Sequence, residues 1–104
     1  MHSVLHETIR LNTGLNRLND QNHLKNCLTI REHIFSLVIS IYQAGLTTDR
    51  ARKKNQLYRA LMYLDRIEFD LKSLDVPDCW RDFENILREV SCLRNQVNSY
   101  LYEI

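Results

Sequence analysis

Only two glycines and one proline occur in 104 residues. These residues punctuate a chain at turns, so a sheet of many short strands has too few places to reverse. Long helices with short links are what so few breakers leave. Nor is there a long apolar run. The richest stretch, residues 34–42, is interrupted by Ser36 and Ser40, well short of the roughly 18 residues that span a bilayer. The N-terminus reads Met1, His2, Ser3, Val4, with no charged segment leading into an apolar one, so no signal peptide is expected. The three cysteines, Cys27, Cys79 and Cys92, are odd in number and widely spaced. That usage suits reduced thiols and a cytoplasmic protein rather than a disulfide framework.

Chemistry-bearing motifs are equally scarce. There is no glycine-rich phosphate loop, no CxxC and no HExxH. His23 and Cys27 are four apart, as are His2 and His6. A zinc site usually needs four ligands with good geometry, and neither pair has the other two. A cysteine nucleophile needs a base and an electropositive setting. Cys92 lies beside an apolar seam and is expected at the edge of the core. The acids Asp65, Glu68 and Asp70 are expected on a solvated face. The sequence therefore predicts no catalytic residue, no metal and no cofactor.

What the chain has is periodicity. Val4, Leu11, Leu15 and Leu18 share one face of a predicted helix over about 3–18, with Leu5 and Ile9 beside them and Gly14 inside. Asn19 or Asp20 could cap the next helix. In residues 21–44, Cys27, Ile30, Ile34, Leu37, Ile41 and Ala44 step by three and four. A second stripe, Leu24, Leu28, Phe35, Val38 and Tyr42, lies next to it, making a wide apolar face. Gly45 is expected to end this helix in a left-handed conformation. Thr47, Thr48 and Asp49 are possible caps for a third helix over 49–74, whose seam is Leu57, Ala60, Leu64, Ile67, Leu71 and Leu74. Pro77 breaks the chain. The fourth helix, from 78 to the end, carries Phe83, Ile86, Val90, Leu93, Val97, Tyr100 and Ile104. Links near 19–22, 45–48 and 75–78 are short enough to make neighbours antiparallel. The expectation is one all-α domain over residues 1–104, an antiparallel up-and-down four-helix bundle. The wide face of the second helix and the length of the fourth predict a homo-oligomer.

The net charge is +1, so bulk charge names no partner, but its distribution is uneven. Residues 50–66 hold Arg50, Arg52, Lys53, Lys54, Arg59 and Arg66 against one acid, Asp65. Residues 67–104 hold four basic and eight acidic side chains. The basic group starts at a helix N-terminus, where each positive charge costs about 0.3–1 kcal/mol against the helix dipole. Arg52, Arg59 and Arg66 recur every seven residues, away from the Leu57–Leu64–Leu71 seam, with Tyr58, Met62 and Tyr63 beside them. Such a stripe can follow phosphates while tyrosines stack on bases. Equally, it can pair with the acidic fourth helix of its own or a neighbouring copy.

The order of these features resembles the four-helix-bundle accessory variability determinants of diversity-generating retroelements, and the related bundle proteins of ribosomal intervening sequences. The resemblance covers about 22–101. It rests on the apolar run 34–44, the polar link after it, the segment RARKKNQLYRALMYLDRI from Arg50 to Ile67 with its Leu64, Asp65, Arg66 triplet, and FENILREV from Phe83 to Val90. The chain departs from the family at NCLTIR, residues 26–31, which lacks a glycine, and at NQVNSY, residues 95–100, which replaces a glycine-and-tryptophan signature. The resemblance implies a ring-forming homo-oligomer, typically a pentamer, that binds a reverse transcriptase and its template RNA through residues 50–66. A protein-binding helical adaptor, chaperone or inhibitor without nucleic-acid binding is the alternative function.

Overall fold

The computed structural model describes the backbone of residues 2–22, 27–73 and 80–103, and the side chains of 4–14, 30–73 and 84–103. Four helices fill it: α1 (His2–Asn22), α2 (Cys27–Leu46), α3 (Arg50–Lys72) and α4 (Trp80–Glu103). No strand occurs among the described residues. α2 packs most extensively on α3, α3 also on α4, and α1 on both α2 and α4. The four therefore form a closed square with sequence neighbours adjacent, in a rod measuring 44 × 20 × 20 Å. This is the all-α four-helix bundle the seams predict.

Each seam becomes core. Val4 and Leu11 of α1, Ile30, Ile34, Leu37, Ile41 and Ala44 of α2, Leu57, Ala60, Leu64, Ile67 and Leu71 of α3, and Ile86, Val90, Leu93 and Val97 of α4 are buried together. Tyr100 packs against them half-buried. Thr8 joins them although it is polar. Its hydroxyl donates to the Val4 carbonyl at 2.8 Å, so the burial leaves no donor unpaired. The expected seam members Leu15, Leu18, Leu24, Leu28, Leu74, Phe83 and Ile104 lie outside the described side chains, as does that of Cys27.

The helix ends differ from expectation in two places. α1 runs through Asn19 and Asp20 to Asn22, so neither residue caps α2. Polar residues cap only where the backbone leaves the helix, and α1 continues past both. Gly45 stays helical inside the last turn of α2, and the Thr47 amide donates to the Gln43 carbonyl at 3.1 Å beyond it. No left-handed glycine is needed, because the three residues 47–49 cross to α3 directly. Of the candidate caps, Asp49 serves: its carboxylate accepts from the Ala51 amide at 3.0 Å, with extended backbone at φ −76°, ψ 119°. Thr47 braces it by accepting from the Asp49 amide at 3.3 Å. α3 ends at Lys72, where the Ser73 amide donates to the Phe69 and Asp70 carbonyls.

The second stripe of α2 does not enter the core as a whole. Val38 is half-buried, but Phe35 is 68% and Tyr42 54% exposed. A square bundle gives each helix two neighbours, and α2 spends both on its first seam and the edges of it. Among the described residues, no helix is long and apolar enough to cross a membrane.

Candidate nucleic-acid interface

Arg52, Arg59 and Arg66 line one flank of α3, while Arg50, Lys53 and Lys54 sit on other sides of its first turns. Arg50, Arg52, Lys54, Arg59 and Arg66 are exposed and Lys53 is half-buried. At 100° per residue, Arg52, Arg59 and Arg66 fall within about 40° of one another, on the flank of α3 that turns toward α2. A cleft of about 350 Å³ runs beside them, lined by Gln43, Thr47, Arg52, Asn55, Gln56 and Arg59. The Gln56 Oε1 atom is buried there without a hydrogen-bond partner. Cleft and stripe together make a surface of guanidinium and amide groups, suited to phosphate oxygens.

Those cations are largely unpaired. Arg52 Nε approaches its own cap, Asp49 Oδ2, at 3.8 Å. Arg50, Lys53, Lys54, Arg59 and Arg66 form no ion pair among the described residues. The expected alternative, pairing of the stripe with the acidic fourth helix of the same chain, is therefore not found there. The polarity is reversed. On its opposite flank α3 supplies the acids and α4 the base: Arg94 Nη2 lies 3.0 Å from Asp65 Oδ1 and also pairs with Glu68. Lys72 Nζ closes the group at 2.8 Å from Glu68 Oε1. The hydrogen bond from Lys72, then that from Arg94, holds the Glu68 carboxyl below the usual glutamate range.

The acids expected on a solvated face are thus engaged. Asp65 and Glu68 hold Arg94, and Asp70 Oδ2 holds His33 Nδ1 of α2 at 3.0 Å. Tyr63, expected beside the basic stripe, turns inward instead, with its ring 6.2 Å from that of His33. Tyr58 and Met62 remain exposed. His33 and Arg94 were missed by sequence reasoning because apolar positions alone defined the seams. Both sit one helical step from a seam residue, which is the signal that could have found them. Cys92 is exposed and free, not at the edge of the core. It lies about 130° around α4 from the centre of the seam formed by Ile86, Val90, Leu93 and Val97, far enough to leave the packed surface.

His2, His23 and Cys79 lie outside the described side chains. No group of three or more potential metal ligands occurs among the described residues. No known protein family model matches this chain, and neither a curated protein nor a solved structure matches it.

Proposed function

We propose that the chain is a non-catalytic accessory protein that binds RNA along the flank of α3 that turns toward α2. Arg52, Arg59 and Arg66 are the centre of that surface, with Arg50, Lys53 and Lys54 at its start. The observation that carries the reading is the exposure of Arg52, Arg59 and Arg66 on one flank, beside a polar cleft, with only the 3.8 Å approach of Arg52 to Asp49 as an ion pair among the described residues. Arg50, Arg52 and Lys53 lie in the first turn of α3, where positive charge opposes the dipole and only the Asp49 cap offsets it, so an anionic partner is favoured there. Tyr58 supplies an exposed ring on the same helix for stacking on unpaired bases. The family resemblance adds a reverse transcriptase as protein partner and its template RNA as the nucleic acid, bound by a homo-oligomer.

The test is fluorescence anisotropy of a labelled single-stranded RNA titrated with protein over a range of salt. Each phosphate contact contributes about 0.7 to the slope of log affinity against log salt. Replacing Arg52, Arg59 and Arg66 by Gln should weaken binding and flatten that slope by roughly two units. A parent protein without salt-dependent RNA binding would sink the reading.

A protein-binding adaptor, chaperone or inhibitor is the second reading. It is favoured by Tyr58, Met62 and Phe69, which stand exposed along α3, Phe69 at 72%. Affinity for a protein partner that barely responds to salt, with no RNA bound, would select it.

A further inference from the structure

We infer that the outward face of α2 is a self-association surface that joins two copies of this chain. The pattern is in the sequence and the exposure is in the fold. Phe35, Ile39, Tyr42 and Leu46 are spaced four, three and four, so they line one side of α2 within an arc of about 60°. They lie opposite the buried seam, at 68%, 39%, 54% and 66% exposure, and Ile9 of α1 stands beside them at 50%. A groove between α1 and α2, lined by Ile9, Asn12, Arg31, Ile34, Phe35 and Val38, continues the surface and ends at the one charged side chain of its lining, Arg31.

Three properties select a second copy as the occupant. The first is area. With aromatic side chains contributing ~150–250 Å² when fully exposed, these five leave on the order of 500 Å² of apolar surface in water. A standard interface takes about 800 Å² from each partner, rather more than half of it apolar. The patch is thus the apolar share of one such interface. The second is charge. A two-fold contact sets a surface against itself, so any charge near its centre meets its own kind. Residues 34–46 contain no charged side chain at all, although half of that helix faces solvent. A charged amphipathic partner would find nothing to pair with over residues 34–46, and only Arg31 at the end of the groove. The third is register. When two α2 helices cross antiparallel, Phe35 of each faces Leu46 of the other and Ile39 faces Tyr42. Every aromatic ring then meets an aliphatic side chain, and the helix dipoles oppose. A two-fold axis lying across the helices keeps α3 of both copies on the same side of the contact. The two arginine stripes would run along one face of the dimer. The contact itself stands whether or not that face binds RNA.

The experiment is light scattering after size exclusion at about 50 µM, well above a micromolar dissociation constant. The parent should elute at twice the 12.4 kDa of one chain. Two variants, Phe35→Lys with Leu46→Lys and Phe35→Glu with Leu46→Glu, should each be helical and monomeric. Mixed in equal amounts they should associate, since every lysine then faces a glutamate. Tyr42→Ser, which introduces no charge, should raise the dissociation constant at least tenfold. A parent that is monomeric at this concentration overturns the inference. So does an oligomer that survives both charge variants, or a mixture of helical variants that stays monomeric.

Discussion

Nδ1 of His33 on α2 lies 3.0 Å from Oδ2 of Asp70 on α3, thirty-seven residues away in sequence. The two side chains are only 20% and 25% exposed, and the Tyr63 ring covers the histidine from the same side of α3. The bridge ties the two helices that share the largest contact in the bundle. It does so at a fixed height, which the apolar seams alone would leave free to slide by a turn.

Asp70→Ala should therefore cost about 0.5–1.5 kcal/mol, the net worth of one partly buried hydrogen bond. Denaturant unfolding of Asp70→Ala, His33→Ala and the double variant measures the coupling. Strictly additive effects would mean that the two side chains do not act on each other.

Glu68 gives the chain a pH dependence. Its carboxyl is held low by Lys72 first and Arg94 second. A depressed folded value contributes stability that is full above the unfolded glutamate value, near pH 4.3, and is lost as pH falls through the folded one. Glu68→Gln should be less stable than the parent at neutral pH by about 0.5–1.5 kcal/mol, given that Glu68 is partly exposed. The two unfolding curves should draw together as pH falls below the unfolded glutamate value and meet below the lowered folded one. A gap that stays constant with pH would remove Glu68 as the titrating group.

Gly14 sits in α1 where an added methyl group would meet only Ile86 Cγ1, at an ordinary 3.8 Å. Gly14→Ala should stabilise the bundle by about 0.5–1 kcal/mol, because alanine gives up less backbone freedom in a helix. A lowered melting temperature would show that α1 and α4 approach more closely than this.

Leu64 is fully buried at the middle of the α3 seam. Leu64→Ala should destabilise by ~2–5 kcal/mol, from lost transfer energy and the cavity left behind. Urea unfolding followed by circular dichroism reads it directly.

The arginine stripe should behave in the opposite way. Replacing Arg52, Arg59 and Arg66 by Gln removes no ion pair within the described chain except the long one from Arg52 to Asp49. Thermal unfolding should shift little, since exposed substitutions usually cost within ~0.5 kcal/mol each. A large drop in melting temperature, or loss of an oligomer, would assign the stripe to contact between copies.

Much of the fold was legible because a helix repeats. Ile30, Ile34, Leu37 and Ile41 declare a buried side by spacing alone, and burial agrees at every one of them. Helix ends were less legible. Asn19, Asp20 and Gly45 have the chemistry of caps, yet each sits inside a helix. Their propensities amount to about a kilocalorie or less, too little by themselves to end a helix. The basic stripe was legible too, because heptad spacing puts Arg52, Arg59 and Arg66 on one flank whatever surrounds them.

By itself the sequence determined the helices, their seams and which side chains share a flank, since these follow from local geometry of one chain segment. Tertiary structure decided who stands opposite each flank. Asp65 and Glu68 took Arg94, Asp70 took His33, and the second stripe of α2 was left facing water. Periodicity fixes a residue's direction around its own helix. Only the arrangement of the other three helices says whether that direction holds a partner, a cleft or solvent.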